Sequence, residues 1–174
     1  DLNENEGENQ SCPLHIAAEK GAVDVTEGLL ALGADLQVVD ISGKSPFLVA
    51  CNKGHEDVVD RLLAAGAIVN SSSRAGLFPL ILASFGGHLG IVDRLVIHGA
   101  NINHQDKLGW NALMLASRDG HVSVVDRLVG LGCDLNLRNY RSSTALMMAC
   151  DRDHAEIVKI LLAHGADTQL KNDK

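Results

Sequence analysis

The sequence predicts an all-α solenoid of five stacked helix-turn-helix units, because two glycine series and an apolar stripe share one period. A single unit of this kind cannot bury its own apolar face, so a regular spacing of 33 residues indicates units that stack side by side. The first series is Gly21, Gly54, Gly87 and Gly120, and the second is Gly33, Gly66, Gly99, Gly132 and Gly165.

Each predicted unit contains a short helix followed by a longer one. Apolar residues at i, i+1, i+4 and i+5, as in Val58, Val59, Leu62 and Leu63, indicate the longer helix. The short helix is rich in Ala, whose small side chain allows neighbouring helices to approach closely. It is predicted over 14–20, 47–53, 80–86, 113–119 and 146–152.

Caps and turns are predicted to separate these helices. Pro13, Pro46 and Pro79 occupy the first helical position, where a missing N–H has no cost. Ser45 and Thr144 precede that position as N-caps. Between units, β-hairpin-like turns begin at positions 40, 73, 106 and 139; two of them carry the Asp and Gly of a type I turn, and two are weaker versions.

These features resemble the ankyrin repeat, whose motif is present as Cys12-Pro13-Leu14-His15, as Gly54-His55 with Val58-Val59, and as Gly66-Ala67. There are departures, since Phe78 replaces a capping Thr and Asp153 replaces a Gly. The resemblance implies an ankyrin-repeat solenoid with repeats over 11–37, 38–70, 71–103, 104–136 and 137–169. Residues 1–10 are expected to be an acidic leader or the tail of a preceding repeat, and residues 170–174 the start of a truncated next one.

Both ends of the chain are interpreted as cuts from a longer protein. A terminal repeat needs a polar outer face, yet the last predicted helix keeps Ile157, Val158, Ile160, Leu161 and Leu162. We therefore expect a fragment of a larger polypeptide, monomeric by itself.

Charge and composition restrict the class of partner. The net charge is −7, and Asp1, Glu4, Glu6 and Glu8 supply much of it, so a basic footprint for nucleic acid is absent. No apolar stretch approaches the ~18 residues that a membrane span needs, which predicts no direct membrane insertion. The four cysteines form no CxxC spacing, which favours a reducing, cytoplasmic location.

Two Cys–His pairs at i, i+4 have a spacing that can hold a metal ion: Cys51 with His55, and Cys150 with His154. The positions equivalent to the cysteines in other units hold Ala or Ser, so the position favours a small residue over a thiolate. The histidines belong to the repeat motif, where the ring can bond the backbone of a neighbouring unit. Neither pair has a third, orienting group, and no phosphate-binding loop is present. We therefore expect no metal, no cofactor and no enzyme activity.

Partner binding is predicted at the turn tips and the ends of the short helices. The side chains at these positions are not needed for packing of the core in a stacked array. The resemblance supports this choice, because ankyrin arrays usually bind with their hairpin tips and concave helix surface. Three of the five aromatic residues fall at these positions, where Trp, Tyr and Arg often dominate interface energies. The predicted contact residues are Ile41, Lys44, Lys53, Arg74, Leu77, Phe85, Lys107, Leu108, Trp110, Arg118, Tyr140, Arg141 and Arg152.

This set is basic and apolar, which predicts a protein or peptide partner with acidic and apolar residues. A scaffold or targeting arm fits that prediction. The alternatives are a stoichiometric inhibitor of a partner enzyme and an accessory domain of a larger enzyme or channel. For Trp110 and Leu77 the alternative is packing against neighbouring hairpins.

Two further series repeat at the period. Asp-Arg pairs at 60–61, 93–94 and 126–127 are predicted to bring opposite charges together between adjacent second helices. Asn70, Asn103 and Asn136 close the loop after the second helix and are predicted to bond turn backbone. The resemblance implies in addition that asparagines so placed can be hydroxylated.

Overall fold

The structure, a computed structural model, describes residues 10–173, which form ten helices and no β-strand. The helices form five consecutive pairs that we call units 1 to 5. The first helices are α1 (Pro13–Lys20), α3 (Pro46–Lys53), α5 (Pro79–Phe85), α7 (Ala112–Asp119) and α9 (Ala145–Asp151). The second helices are α2 (Val23–Ala31), α4 (Glu56–Ala64), α6 (Leu89–Ile97), α8 (Val122–Gly130) and α10 (Ala155–Ala163). The predicted all-α solenoid is confirmed, and the predicted short helices agree within one residue at each end. The predicted leader, apart from Gln10, lies outside the described residues.

The helices lie in two layers, and the layers differ in how closely their helices approach. Neighbouring first helices pack tightly because Ala50, Ala83 and Ala116 are fully buried between them. Neighbouring second helices make fewer contacts. The array therefore curves toward the first helices, whose exposed side forms an inner face bordered by the turn tips.

One continuous core runs between the layers through all five units. Its largest fully buried side chains include Phe47, Leu62, Leu95, Leu113 and Leu128. The main contacts of each helix are with its own unit and with the adjacent units. The array is therefore a chain of nearest-neighbour interfaces.

Histidines join successive units, as the sequence predicts. The Nε2 atoms of His55, His88, His121 and His154 each donate to a main-chain carbonyl 36 residues earlier, at 2.9–3.3 Å. The ring lies against the glycine that ends the preceding first helix, so there is little space for a side chain at that glycine. The histidines thus have a structural role between units.

The turn tips form a second set of bonds between units. All four predicted turns are closed by a hydrogen bond from the fourth N–H to the first carbonyl, at 2.8–2.9 Å. Adjacent tips are also linked, since the N–H of Arg74 donates to Ser42 O at 3.1 Å and that of Tyr140 donates to Leu108 O at 2.9 Å. The turns are thus hairpin-like in their bonding, although residues 10–173 form no strand there.

The two departures from the repeat motif have local explanations. Phe78 provides no side-chain cap to α5, but its ring stacks on His104 with centroids 3.9 Å apart. Asp153 has a left-handed backbone, φ +58°, in the place of a glycine. Asp tolerates this conformation better than most side chains do.

The predicted asparagine contacts are confirmed. Asn70, Asn103 and Asn136 each accept, through Oδ1, the main-chain N–H of the residue 31 positions later, at 2.9–3.0 Å. These three side chains therefore tie the loops of adjacent units together.

The predicted ion-pair ladder is present on the second helices. Arg94 lies 2.7 Å from Asp60 and 2.8 Å from Glu56, and Arg127 lies 2.6 Å from Asp93. All these side chains are at least partly exposed, so each pair contributes little in water. The ladder ends at α10, where Ile160 stands one period after Arg127.

We expect Arg94→Met to lower the free energy of unfolding by only about 1 kcal/mol or less, because exposed pairs gain little Coulomb energy. Urea denaturation at low and high salt measures the effect, and the difference from wild type should shrink as salt screens the charges. The control is Lys159→Met, an exposed residue with no ion pair among residues 10–173. A loss above about 2 kcal/mol, or one that salt does not change, contradicts this prediction.

Candidate functional site

An open groove of about 470 Å³ lies on the inner face across units 2 to 4. Its floor is formed by the buried side chains of Ile81, Leu82 and Leu115, and its rim by the exposed Phe85 and Leu108. We call this the apolar groove; the full lining is Lys44, Asn52, Leu77, Ile81, Leu82, Phe85, Asp106, Leu108, Trp110, Leu115 and Arg118. Six of the predicted contact residues meet here.

A smaller cavity of about 270 Å³ lies between units 4 and 5, and we call it the end pocket. Trp110 and Arg118 line both cavities and form the wall between them. The end pocket also contains two more predicted residues, Arg141 and Arg152. Its lining is Trp110, Arg118, Asn139, Arg141, Ser143, Met147, Met148, Asp151, Arg152 and Asn172.

Arg118 holds the shared wall together. Its guanidinium carbon lies 5.3 Å from the centroid of the Trp110 ring and 5.7 Å from that of Phe85, within cation–π range. The same group donates two hydrogen bonds of 2.8 Å to the carboxylate of Asp119. These bonds lower the pKa of Asp119 and raise that of Arg118. Arg118 therefore positions the two aromatic rings, and its charge is already paired.

The prediction that the contact positions take no part in the core is wrong for the residue that follows each turn. Lys44, Leu77 and Trp110 are half-buried, and Ser143 is buried. The main chain of this residue closes the turn, as where Asp106 N donates to Trp110 O at 2.8 Å, so its side chain lies over the adjoining units. Trp110 accordingly packs against the core and lines both cavities. Its packing is thus observed, and its contact with a partner stays a prediction.

The remaining predicted residues lie outside both cavities and are exposed: Ile41, Lys53, Arg74, Lys107 and Tyr140. The predicted basic character of this face is reduced at Lys53, which pairs with a carboxylate, whereas Arg74 bonds a main-chain carbonyl. Lys53 lies 3.0 Å from Glu19 and lowers the pKa of that carboxyl through its hydrogen bond. Arg74 donates to Ile41 O at 2.8 Å. The guanidinium carbon of Arg141 lies over the ring of Tyr140, 5.1 Å from its centroid, which is a cation–π contact.

Comparison with known protein families agrees with this architecture. A family model described as ankyrin repeats in three copies matches residues 14–106 and again residues 80–172. The chain belongs to the ankyrin-repeat family. Ankyrin repeats are general protein–protein interaction modules, built on a non-catalytic scaffold. No curated protein matches the chain.

Sequence reasoning missed the inner-face residues of the ankyrin repeats, namely Ile81, Leu82, Leu115, Met147 and Met148. A signal for them exists in the motif itself. Repeat 1 keeps the motif histidine, His15, whose Nε2 donates to Lys44 O at 2.8 Å. The equivalent positions of the later repeats hold Leu48, Ile81, Met114 and Met147, and of these apolar replacements Ile81 and Met147 line a cavity.

Three of the four cysteines of the ankyrin repeats, Cys12, Cys51 and Cys133, are buried. Burial raises the pKa of Cys51 far above its ordinary value and that of Cys133 to about 11, so both thiols are neutral at pH 7. Within residues 10–173, no group of three or more His, Cys, Asp or Glu residues is placed to hold a metal ion. No helix in that range is long and apolar enough to cross a bilayer.

Proposed function

We propose that this chain is a scaffold or targeting module whose apolar groove holds an apolar segment of a partner protein. The gathering of seven apolar side chains in one open groove carries this proposal. Phe85 is 46% exposed and Leu108 is 54% exposed, although neither is needed to close the core. Concave apolar surfaces with a few polar groups are typical of binding sites.

Charge supports a partner segment that is acidic as well as apolar. Next to the groove, the end pocket has the guanidinium groups of Arg141 and Arg152 against one carboxylate, that of Asp151, while the charge of Arg118 is paired with Asp119. Opposite charge on the partner would orient it along the inner face. A peptide that crosses the Trp110–Arg118 wall would present apolar residues to one cavity and acidic residues to the other.

We also propose that the module works in a reducing compartment such as the cytoplasm. Cys12, Cys51, Cys133 and Cys150 are all free thiols, and three of them are buried. Disulfides form in oxidising compartments, so free thiols suit a reducing one.

Replacing both Phe85 and Leu108 by Ala is expected to weaken partner binding at least about tenfold, because truncated interface anchors cost more than 1 kcal/mol each. Peptides selected from a random display library on the wild-type protein provide the probe, and fluorescence anisotropy measures their dissociation constants. Both side chains are exposed at the groove rim, so the melting temperature should change little. Trp110 stays unchanged in this variant, because it also packs against the core.

The matched control is the double variant Leu32→Ala and Ile97→Ala. These aliphatic side chains are 72% and 77% exposed, lie on the second-helix layer, and line neither cavity. The control should bind like wild type. If the two double variants lose affinity equally, or if neither does, the groove is not the binding site.

A further inference from the structure

Asn139, in the last turn between units, has a buried amide group with an unused donor. The residue is 5% exposed and lines the end pocket. Its Nδ2 is buried and donates to no group among residues 10–173. An unsatisfied buried donor is costly, so its position at a cavity points to an acceptor supplied from outside.

Two hydrogen bonds fix the orientation of this amide. The Oδ1 atom of Asn139 accepts the main-chain N–H of Arg141 at 2.9 Å and that of Ser143 at 3.1 Å. A flipped amide would set Nδ2 against these two donors, which is unfavourable. Nδ2 is therefore held on the side of the group that the turn does not use.

Other units show that the turn itself does not require this donor. Asp40 and Asp106 occupy the same place and accept the same pair of main-chain N–H groups, at 2.8–2.9 Å. Asp106 lines the apolar groove just as Asn139 lines the end pocket. Asn139 keeps the accepting Oδ1 of these turns, and its Nδ2 donor stands where Asp40 and Asp106 have a second carboxylate oxygen. Of the two cavities, only the end pocket has this donor.

The remaining lining indicates which acceptor fits. Trp110, Met147 and Met148 provide apolar walls, and Arg141 has no ion pair among residues 10–173. Asp151 adds a negative charge and has an interaction of its own, while Arg118 is already paired with Asp119. A monoanion with a short aliphatic stem suits these surroundings better than a phosphate, which carries nearly two charges.

We propose that the end pocket binds the side-chain carboxylate of a glutamate in the partner segment, with Asn139 Nδ2 and the Arg141 guanidinium as donors. The methylene groups of that glutamate pack on Met147 and Met148. This inference rests on the proposed function, because the same segment places its apolar residues in the groove. It adds a specificity-determining residue, Asn139, and a required residue type in the partner.

The test uses a small probe that does not depend on the groove. N-acetylglutamate amide and its neutral isostere N-acetylglutamine amide are titrated into the protein while NMR follows the indole resonance of Trp110, the only tryptophan of the chain. The glutamate probe should bind about tenfold more tightly, since hydrogen bonds to a charged acceptor are stronger than those to a neutral one. N-acetylphosphoserine amide serves as the third probe and should bind more weakly than the glutamate probe.

Asn139→Asp is the decisive variant, because Asp forms the same turn in units 2 and 4. It should keep its helical content and lose the preference for glutamate over glutamine. Asp40→Asn, the reverse exchange in a turn that lines neither cavity, is the control and should keep that preference. Equal binding of glutamate and glutamine, tighter binding of phosphoserine, or an unchanged preference in Asn139→Asp would each overturn the proposal.

The two proposals fail separately. If the wild-type protein selects no peptide from a library but binds the glutamate probe, the groove proposal fails and the end pocket stands. If peptides are selected without enrichment of glutamate and the probe does not bind, the end-pocket proposal fails and the groove stands.

Discussion

Leu95→Ala is expected to lower the free energy of unfolding by about 2–5 kcal/mol, because it opens a cavity in the middle of the core. Leu95 is fully buried on α6, the second helix of the central unit. Urea denaturation followed by far-UV circular dichroism measures the loss. Leu32→Ala is the matched control, since that leucine is 72% exposed and should change stability by no more than about 0.5 kcal/mol.

The same variant should also broaden the unfolding transition. Each unit is stabilised mainly by its neighbours, so a weak central unit separates the two halves of the array. Unfolding should then proceed in two overlapping steps instead of one. Equal midpoints and equal slopes for Leu95→Ala and Leu32→Ala would show that Leu95 does not join the two halves of the core.

Gly54→Ala is expected to destabilise the protein by about 2–4 kcal/mol, through a strained left-handed residue and a lost hydrogen bond. Gly54 has φ +83°, and a Cβ there would lie 2.5 Å from Cε1 of His88. The ring would have to move, and its bond to Asn52 O, 3.3 Å long, would be lost. Thermal and urea denaturation measure the effect.

Gly130→Ala is the control for this substitution and should have the opposite sign. Gly130 lies within α8, and a Cβ there would meet nothing within 4 Å. Because Ala is favoured over Gly in helices, the variant should gain about 0.5–1 kcal/mol. A neutral Gly54→Ala would show that the inter-unit histidine contact is not a constraint, and a destabilised Gly130→Ala would show that the space around that helical position is misjudged.

The fold could be predicted from the sequence because each unit repeats the same local solution. The glycine series and the histidine series arise from the same contact, because the histidine ring of each unit lies against the glycine that ends the first helix of the unit before. The regular spacing of these residues in the sequence therefore predicts that they are in contact between adjacent units. The helix bounds followed for the same reason, as at α3, where Ser45 and Pro46 mark the start.

The candidate site could be predicted only in part, because it depends on how the units differ. Phe85 and Leu108 were found because their positions are exposed in any stacked array. The partial burial of Trp110 depends on the path of the main chain after its turn, which no spacing reveals. The pairing of Arg118 with Asp119 depends on the rotamers of both side chains, which the sequence does not reveal. The sequence therefore predicts that Arg118 is an unpaired cation.

For Asn139, the sequence predicts the role of the side-chain oxygen but not that of the side-chain nitrogen. The sequence marks Asn139 as a weaker version of an Asp turn, which is correct for the oxygen that accepts two main-chain N–H groups. The importance of the residue lies in its nitrogen, which the turn leaves without a partner beside a cavity. That property follows from the three-dimensional surroundings of the side chain and not from its place in the repeat.

Because each unit contacts mainly its neighbours, the width of the groove depends on how successive units are oriented. Its two walls belong to different units, and no helix spans them, so the width of the groove follows the small angles between successive units. A ligand lying across units 2 to 5 would set three of those angles at once. Bending of the array at any of these unit interfaces would therefore change the width of the inner face.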